Sequence, residues 1–376
     1  MKTIAEVFLQ LEFSHLIMLF LKMQKVNGKF CFRHSTGEDI YLFTLRNVKG
    51  TEVCITNYGA IITSLKIHQS KTKINDIVLG FDNPADYLTN EYLTNYPYFG
   101  AIIGRYANRI RQGEFSINGN RYLLAKNKHP DHLHGGNIGF DRKVWTVDYV
   151  SENKLELRYI SADGEEGYPG NLETRLCFDL RDNNDFVYEF VATTDKATPV
   201  NLTHHSYFNL NNGGGTIADH IVRINSSIVL EQDDNFVVTG KEIPVTGTEF
   251  DFREPKRIDR DWNAGDGYDQ TFVLNSDGPA DKDRGLLFAA EAFCETSKVM
   301  LQVYTSEPVV HFYTGKWIPS LIGKCDHKYG AFSGFCFETH KHPNAVNIPR
   351  LPNTILKPGE TYHTKTLYRL ICQHQD

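Results

Sequence analysis

Most of the chain alternates between short β-prone segments and clusters of turn-forming residues, and this alternation limits the folds that it can adopt. YLFTLRN, LELRYIS, DFVYEFVATT and VVHFYTG are rich in β-branched and aromatic residues with a partial period of two, which is typical of strands. Glycine, asparagine, aspartate and proline cluster between such segments, as in SADGEEGYPGN and NNGGG. Helical periodicity is scarce, and NPADYLTNEYL is the best short candidate. The pattern predicts an all-β chain of many strands.

The length of 376 residues would by itself suggest two domains, but a single all-β domain can exceed the usual size. No internal repeat, low-complexity linker or shift in composition divides the chain. We therefore predict one large antiparallel β-sandwich over residues 24–376, with big twisted sheets that leave a concave face.

The first residues, MKTIAEVFLQLEFSHLIMLFLKM, need a separate interpretation. They are apolar enough to suggest a signal peptide or an anchor, but Glu6, Glu12, His15 and Lys22 interrupt the run, which falls short of about 20 apolar residues. No small-residue cleavage site follows. An amphipathic helix, or a start codon placed too early with the true start at Met23, are both left open. We treat residues 1–23 as an extension and expect a cytoplasmic protein.

Charge and cysteine usage exclude several classes of partner. The formal net charge is −6, and no basic run could follow a phosphate backbone, so we expect neither nucleic acid nor a membrane as a partner. The seven cysteines are scattered, odd in number and without a C-x-x-C pair. This usage is typical of free thiols in a reducing compartment.

The segment NLTHHSYFNL, residues 201–210, carries two adjacent histidines in a strand-like pattern. Adjacent side chains of a strand point to opposite faces, so the two histidines cannot do the same work. His204 shares a mostly apolar face with Leu202 and Phe208, whereas His205 shares a face of hydrogen-bonding groups with Tyr207. Two ordinary half-buried histidines are the simpler interpretation. If one histidine takes part in chemistry, the alternation favours His205.

The segment GFCFETHKHP, residues 334–343, holds a carboxylate within an apolar run. Phe335 and Phe337 fall on one face, and Cys336 and Glu338 on the other. A buried carboxylate is costly unless it is paired or used, and desolvation balanced against nearby donors can set its pKa near neutrality. Glu338 is therefore a candidate base, with an ion pair to Lys341 or an arginine as the structural alternative.

Three further clusters carry groups suited to hydroxyl oxygens. Asn108 and Arg109 in GRYANRI offer an amide and a planar donor fork. His134 precedes a double glycine, whose tight backbone could hold the imidazole over a pocket. Asp269 in GYDQTF could accept two sugar hydroxyls or merely close an Asx turn. Taken singly, each cluster is more often a strand end or a turn.

Two H-x-H pairs raise the question of a metal. His132 and His134, like His340 and His342, would share a face if the chain were extended there. Gly135 and Pro343 directly follow the two pairs and work against extension. We therefore expect no bound metal.

Ten motifs stand in one order along the chain: NYGAIITSLKI, DIVLGFDN, YFGAIIGRYANRI, LHGGNIGFDRKVW, DGEEGYPGNL, NLTHHSYFNL, GYDQTF, HFYTG, FETHKHPNAVNIP and LKPGETY. In this order they resemble those of the aldose 1-epimerase family, the galactose mutarotases. The resemblance implies a β-supersandwich, and an isomerase that interconverts the α and β anomers of free aldohexoses such as D-galactose or D-glucose. It implies a small sugar as the partner and no cofactor.

The resemblance also assigns roles by position. Glu338 matches the family's general base and His205 its general acid. The positions that match sugar-binding residues are Asn108, Arg109, His134, Tyr207 and Asp269.

Two positions depart from the family pattern. His204 stands where many members have Asn, and His311 in HFYTG stands where a sugar-contacting Gln is common. A histidine there can donate or accept one hydrogen bond but cannot do both as an amide does. We therefore expect His311 to contact the sugar and to bias the choice of sugar.

Anomerisation takes a proton from the C1 hydroxyl and gives one to the ring oxygen, so one base and one acid suffice. Glu338 and a protonated His205 would form a natural pair, because each favours the charged form of the other. The alternatives are a glycosidase that uses Glu338 and Asp269, a non-catalytic carbohydrate-binding sandwich, and a cupin-like metal enzyme. We expect a monomer or a weak homodimer.

Overall fold

The computed structural model describes residues 28–69, 73–262, 265–276, 280–281 and 285–372. The predicted extension, residues 1–23, and its possible amphipathic helix lie outside the described residues.

Strands dominate the described residues. In chain order they are β1 (Gly28–Arg33), β2 (Asp39–Arg46), β3 (Glu52–Thr56), β4 (Ile62–His68), β5 (Ile74–Asp76), β6 (Ile102–Ile103), β7 (Arg109–Ile110), β8 (Glu114–Ile117), β9 (Asn120–Leu123), β10 (His132–Leu133), β11 (Thr146–Val150), β12 (Lys154–Ser161), β13 (Leu172–Leu180), β14 (Asp185–Thr194), β15 (Thr198–Pro199), β16 (Thr203–His204), β17 (Ile221–Ile224), β18 (Ser226–Gln232), β19 (Val238–Pro244), β20 (Lys256–Arg257), β21 (Asp269–Leu274), β22 (Ala280–Asp281), β23 (Leu286–Cys294), β24 (Val299–Thr305), β25 (Val309–Tyr313), β26 (Leu321–Ile322), β27 (Lys328–Tyr329), β28 (Cys336–His340), β29 (Ile355–Leu356) and β30 (Tyr362–Cys372).

Helices are few and short. In the part of the chain that the structure describes, the α-helix is α1 (Asn90–Thr94), and the 3₁₀ helices are Pro84–Leu88, Arg111–Gly113, Phe140–Arg142, Glu165–Gly167, Ile258–Arg260, Lys324–Asp326 and Ala345–Asn347. The predicted helix NPADYLTNEYL is split in two, because the Thr89 side chain accepts a hydrogen bond from the Tyr92 amide and caps a new helix. None of the helices in the described ranges has the length and apolar character that a bilayer span requires.

Within the described residues, the strands form three large sheets and five strand pairs. A ten-stranded sheet has the order β11-β12-β13-β14-β30-β24-β23-β17-β20, with β22 paired to β23. One five-stranded sheet runs β1 to β5 in sequence order, and the other has the order β19-β18-β21-β25-β28. All ladders of the large sheets are antiparallel, as in β13 with β14 and β25 with β28. The prediction of an all-β antiparallel supersandwich is confirmed.

The segment 201–210 is the clearest difference from the predicted strands. Only Thr203 and His204 form a ladder, which pairs them with Ile103 and Ile102 of β6. The chain then changes partner, and Phe208 makes isolated bridges to Val78 and Phe335. The segment therefore remains extended and joins several elements without belonging to one sheet.

The main apolar core joins the inner faces of the large sheets. Phe43 of β2, Phe178 of β13, Leu301 of β24 and Phe312 of β25 all belong to one cluster and have no exposed surface. Burial of each such side chain contributes roughly 1.5–3 kcal/mol of transfer free energy. This core supports one face of the β21-β25-β28 strands, and the opposite face of these strands borders a cavity.

Candidate active site

A cavity of about 630 Å³ opens next to β21, β25 and β28. The side chains that line it include all the predicted site residues: Asn108, Arg109, His134, His205, Tyr207, Asp269, His311 and Glu338. They come from parts of the chain as far apart as residues 108 and 338. Their convergence depends on the fold.

Strand register brings three of these side chains to one face. Thr271 on β21 pairs with His311 on β25, and His311 pairs with Glu338 on β28. Directly paired residues of antiparallel strands point to the same face. Asp269 is two residues before Thr271 and therefore joins them. Alternate positions such as Phe312 and Phe337, which are also paired, point into the apolar core.

His205 and Glu338 meet in the buried part of the cavity. The Nε2 atom of His205 lies 3.5 Å from Oε1 of Glu338, and both side chains are less than 5% exposed. The Oε2 atom of Glu338 is buried and has no hydrogen-bond partner among the described residues. A buried carboxylate oxygen without a partner is rare in a finished core, and this one is available to a ligand in the cavity.

The protonation of His205 differs from the expectation of a mutually stabilised ion pair. Burial lowers the pKa of the His205 imidazole, and the negative charge of Glu338 opposes this effect without overcoming it. On the other side of the ring, Nδ1 lies 3.5 Å from the Cys336 sulfur. Burial and the charge of Glu338 raise the pKa of this thiol well above its usual value, so Cys336 keeps its proton.

The backbone of Asn108 fixes the orientation of His134. The Asn108 amide donates a hydrogen bond of 3.2 Å to Nδ1 of His134, and both residues have positive φ, 63° and 52°. Because Nδ1 accepts, the neutral ring carries its proton on Nε2. The Asn108 carboxamide is fixed as well, since its oxygen accepts a 2.8 Å bond from the Arg109 amide. His134 can therefore present an N–H donor to the cavity.

One group of residues in the described part of the chain has the spacing of metal ligands. Ligand atoms of His134, His205 and Glu338 lie within 4.8 Å of one another. Coordination through Nε2 of His134 would require an unprotonated Nε2, whereas the bond from Asn108 leaves the proton there. The tautomer of His134 therefore disfavours a three-ligand site. His132 is engaged elsewhere, with Nδ1 2.7 Å from the Ala125 carbonyl oxygen and Nε2 2.7 Å from the Tyr168 hydroxyl.

Asp269 and His311 are hydrogen-bonded to each other at 2.8 Å, from Nε2 to Oδ1. Burial alone would raise the pKa of Asp269, but the bond from His311 and the charges of His311, Arg109 and His205 outweigh burial and lower it. Asp269 is therefore ionised near neutral pH. The other nitrogen of His311, Nδ1, lies 2.8 Å from the Thr271 hydroxyl. Both ring nitrogens of His311 thus already have partners within the protein.

Arg109 and Tyr207 complete the predicted set. The Arg109 guanidinium lies 5.3 Å from the ring centroid of Phe236, and its buried Nε finds no hydrogen-bond partner within the described ranges. The Tyr207 ring packs 4.9 Å from that of His205. Burial holds the pKa of Tyr207 well above its usual value, so it stays a neutral phenol.

His204 lies away from the cavity. Its Nε2 is 2.9 Å from the Gly100 carbonyl oxygen, and its ring packs 5.5 Å from that of Tyr188 in the core. Burial lowers the pKa of this imidazole to about 3. His204 is therefore neutral and part of the wall behind His205.

Several residues that line the cavity were not predicted from the sequence. Tyr98 packs against both His134 and His205, with ring centroids 4.8 Å and 5.8 Å away. Its position at the start of the motif YFGAIIGRYANRI was the available signal. Phe236 and Trp317 lie at the exposed mouth of the cavity. Nothing in their local sequence distinguishes them from other loop aromatics.

Comparison with known proteins agrees with this geometry. The profile of the family described as aldose 1-epimerase matches residues 41–369. Galactose mutarotase from Sus scrofa is 40% identical over 320 residues, which cover 84% of this chain and 90% of the relative. Galactose mutarotase from Homo sapiens is 41% identical over 322 residues, with the same coverage.

A solved structure shows the same fold. The crystal structure of a GalM/aldose epimerase homologue from C. elegans matches with a TM-score of 0.81 and 27% identity, over 89% of this chain and 99% of that one. The profile match and the level of identity, together with the shared fold, show that this chain belongs to the aldose 1-epimerase family.

Proposed function

We propose that the protein is a cofactor-independent isomerase that interconverts the α and β anomers of free aldohexoses such as D-galactose or D-glucose. The observation that carries this proposal is the approach of His205 Nε2 to Glu338 at 3.5 Å in a cavity. Relatives named galactose mutarotase, about 40% identical over most of the chain, support the same activity.

Glu338 is the general base and His205 the general acid. Glu338 takes the proton of the C1 hydroxyl while His205 protonates the ring oxygen, so the ring opens to the aldehyde. Rotation about the C1–C2 bond presents the other face of the carbonyl group, and the ring closes as the two residues exchange roles. Each group contributes on the order of 10²–10⁴-fold to the rate.

The lowered pKa of His205 has a consequence for this mechanism. An imidazolium of lower pKa is a stronger acid, which favours transfer of its proton to a weakly basic ring oxygen. The charge of Glu338 favours the protonated form of His205, because it acts against the effect of burial on the pKa.

The remaining polar groups of the cavity hold the sugar. Ionised Asp269 accepts hydrogen bonds from sugar hydroxyls, His134 donates from Nε2, and Arg109 supplies a planar fork of donors. The Asn108 amide and the Tyr207 phenol complete the set. This arrangement fixes C1 and the ring oxygen relative to Glu338 and His205, which lowers the entropic cost of reaction.

The two principal alternatives fit the site less well. A glycosidase would need one carboxylic acid with a raised pKa, but the pKa of Asp269 is lowered and the carboxylate is bound to His311. A purely binding module has no need of a buried Glu338 with an unpartnered oxygen.

We also infer that the protein is cytoplasmic and acts as a monomer or a weak homodimer. The seven cysteines, which all lie in the described ranges, are free thiols, in keeping with a reducing compartment. Analytical ultracentrifugation over a range of concentrations tests the oligomeric state.

Polarimetry tests the proposed activity directly. Freshly dissolved α-D-galactose and α-D-glucose should approach their equilibrium rotation faster with the protein than without it, before and after treatment with a chelator. Equal rates with and without protein would contradict the activity. Loss with the chelator and recovery with zinc would contradict the cofactor-independent mechanism.

A further inference from the structure

The His311 side chain is held at both ring nitrogens, and this bears on how Asp269 binds a sugar. Nε2 lies 2.8 Å from Oδ1 of Asp269, and Nδ1 lies 2.8 Å from the Thr271 hydroxyl. His311 is 3% exposed and Thr271 is fully buried. No ring nitrogen of His311 is left to bond a sugar hydroxyl.

The chemistry of Asp269 sets the direction of both hydrogen bonds. The carboxylate is ionised and can only accept, so Nε2 of His311 carries a proton and donates it. In neutral His311, Nδ1 is then an acceptor, and the Thr271 hydroxyl donates to it. If His311 becomes protonated, the same hydroxyl can accept from Nδ1. The chain of bonds therefore holds in either protonation state.

These bonds leave one carboxylate oxygen free. Oδ1 of Asp269 is taken by His311, while Oδ2 has no hydrogen-bond partner among the described residues, and the side chain is 20% exposed at the cavity. A carboxylate with one oxygen fixed can rotate little. It presents Oδ2 to the cavity in a single orientation, which reduces the entropy lost when a ligand binds.

We propose that His311 and Thr271 are positioning residues that act through Asp269, and that Asp269 makes the sugar contact. This inference rests on the proposed function and is an alternative to the expectation that His311 itself contacts the sugar. It predicts that Thr271, which does not line the cavity, affects sugar binding more than turnover.

The test compares Thr271→Val, Thr271→Ser and the control Thr305→Val. Valine keeps the shape of threonine and removes the hydroxyl, whereas serine keeps the hydroxyl. Thr305 is a fully buried threonine of β24 whose hydroxyl lies 3.0 Å from that of Thr366. It reports the general effect of removing a buried hydroxyl.

For Thr271→Val we expect KM and the calorimetric Kd for galactose to rise about 3- to 10-fold, the equivalent of one hydrogen bond, with kcat within about twofold. Thr271→Ser should restore binding, and Thr305→Val should leave both constants within about twofold of the wild type. Unchanged KM and Kd in Thr271→Val, or equal effects in Thr305→Val, would overturn the proposal.

Ring ¹⁵N NMR of His311 gives a second test, which uses the wild-type protein and therefore does not depend on whether a variant folds. We expect Nε2 of His311 to carry a proton, because it donates to Asp269. The opposite tautomer would overturn the proposed order of bonds. The Kd measurements separate this inference from the proposed activity, because galactose binding can be followed even if the protein does not accelerate mutarotation.

Discussion

Segments 201–210 and 335–340 each have one side that faces the core and one that faces the cavity. The two sides carry similar polar residues, but these residues have different partners. On the core side, the His204 Nε2 atom lies 2.9 Å from the Gly100 carbonyl oxygen, and the Thr339 hydroxyl lies 2.6 Å from that of Thr366. On the cavity side, Nε2 of His205 comes no closer than 3.5 Å to Oε1 of Glu338. Oε2 of Glu338 has no hydrogen-bond partner in the described part of the chain.

The difference shows what separates a structural polar group from one that can act on a ligand. Both histidines are buried and both have a lowered pKa, so neither burial nor perturbed protonation distinguishes them. The nearby groups do. His205 faces a carboxylate and a cavity, whereas His204 faces a backbone carbonyl and the Tyr188 ring. Sites are identified by these neighbours more than by a shifted pKa.

The largest effect that we expect comes from Glu338→Gln on the cavity side. The substitution keeps the shape of the side chain and removes the base, so kcat should fall by at least about 10²-fold. Polarimetry with galactose measures this, and circular dichroism checks that the fold is intact.

Glu307→Gln is the matched control for that variant. Glu307 is 3% exposed, accepts a 3.0 Å hydrogen bond from the Tyr362 hydroxyl and does not line the cavity. Burial raises the pKa of Glu307 to about 7. Its replacement should change kcat by less than about threefold, within the range of substitutions away from the chemistry. Similar losses in both variants would mean that burial and not base chemistry explains the result.

His204→Asn should act on stability. At pH 7 we expect the free energy of unfolding to fall by about 1–2 kcal/mol, because the packing against Tyr188 is lost. Urea denaturation followed by fluorescence measures this change. A stability equal to that of the wild type would show that the ring of His204 contributes no packing.

Acid should reduce the difference in the free energy of unfolding between the wild type and His204→Asn. The pKa of His204 is about 3 in the folded protein and about 6.5 in an unfolded chain, so the unfolded state binds the proton more readily below pH 6.5. The stability that the neutral His204 ring contributes is therefore present above pH 6.5 and is lost as the pH falls toward 3. This amounts to on the order of 2 kcal/mol between pH 7 and pH 5. Asparagine cannot titrate, so urea midpoints should fall more in the wild type over this range, and parallel decreases would contradict the assignment.

A smaller effect concerns the coupling between His205 and Glu338. The charge of Glu338 raises the pKa of His205 against the effect of burial, so Glu338→Gln should lower that pKa further. NMR titration of the His205 ring should give a value below 6.5 in the wild type and a lower one in the variant. An unchanged pKa would mean that the two groups do not interact.

The sequence predicted the fold and the direction in which the site side chains point. It did not predict the protonation of His205 or the hydrogen bonds between residues far apart in the chain. Alternation within NLTHHSYFNL separated His204 from His205 although only Thr203 and His204 form a ladder, because the chain stays extended beyond it. The spacing in GFCFE likewise placed Glu338 on the face opposite Phe335 and Phe337. In the structure both phenylalanines belong to the apolar core.

Three features could not be predicted because they depend on contacts between distant residues. The bond from Thr271 to His311 follows from the register of β21 with β25, which a local pattern does not fix. The lowered pKa of His205 depends on how deeply the assembled sheets bury it. Phe236 and Trp317 reach the cavity through loops whose course the sequence does not specify.

In the proposed mechanism, only His205 of the two adjacent histidines transfers protons. Polarimetry of His205→Asn beside His204→Asn distinguishes the roles of the two residues. Asparagine cannot serve as a proton donor at either position. We expect kcat of His205→Asn to fall by at least about 10²-fold and that of His204→Asn to stay within about tenfold of the wild type. An active His205→Asn beside an inactive, folded His204→Asn would contradict the assignment of His205 as the general acid and of His204 as a packing residue behind it.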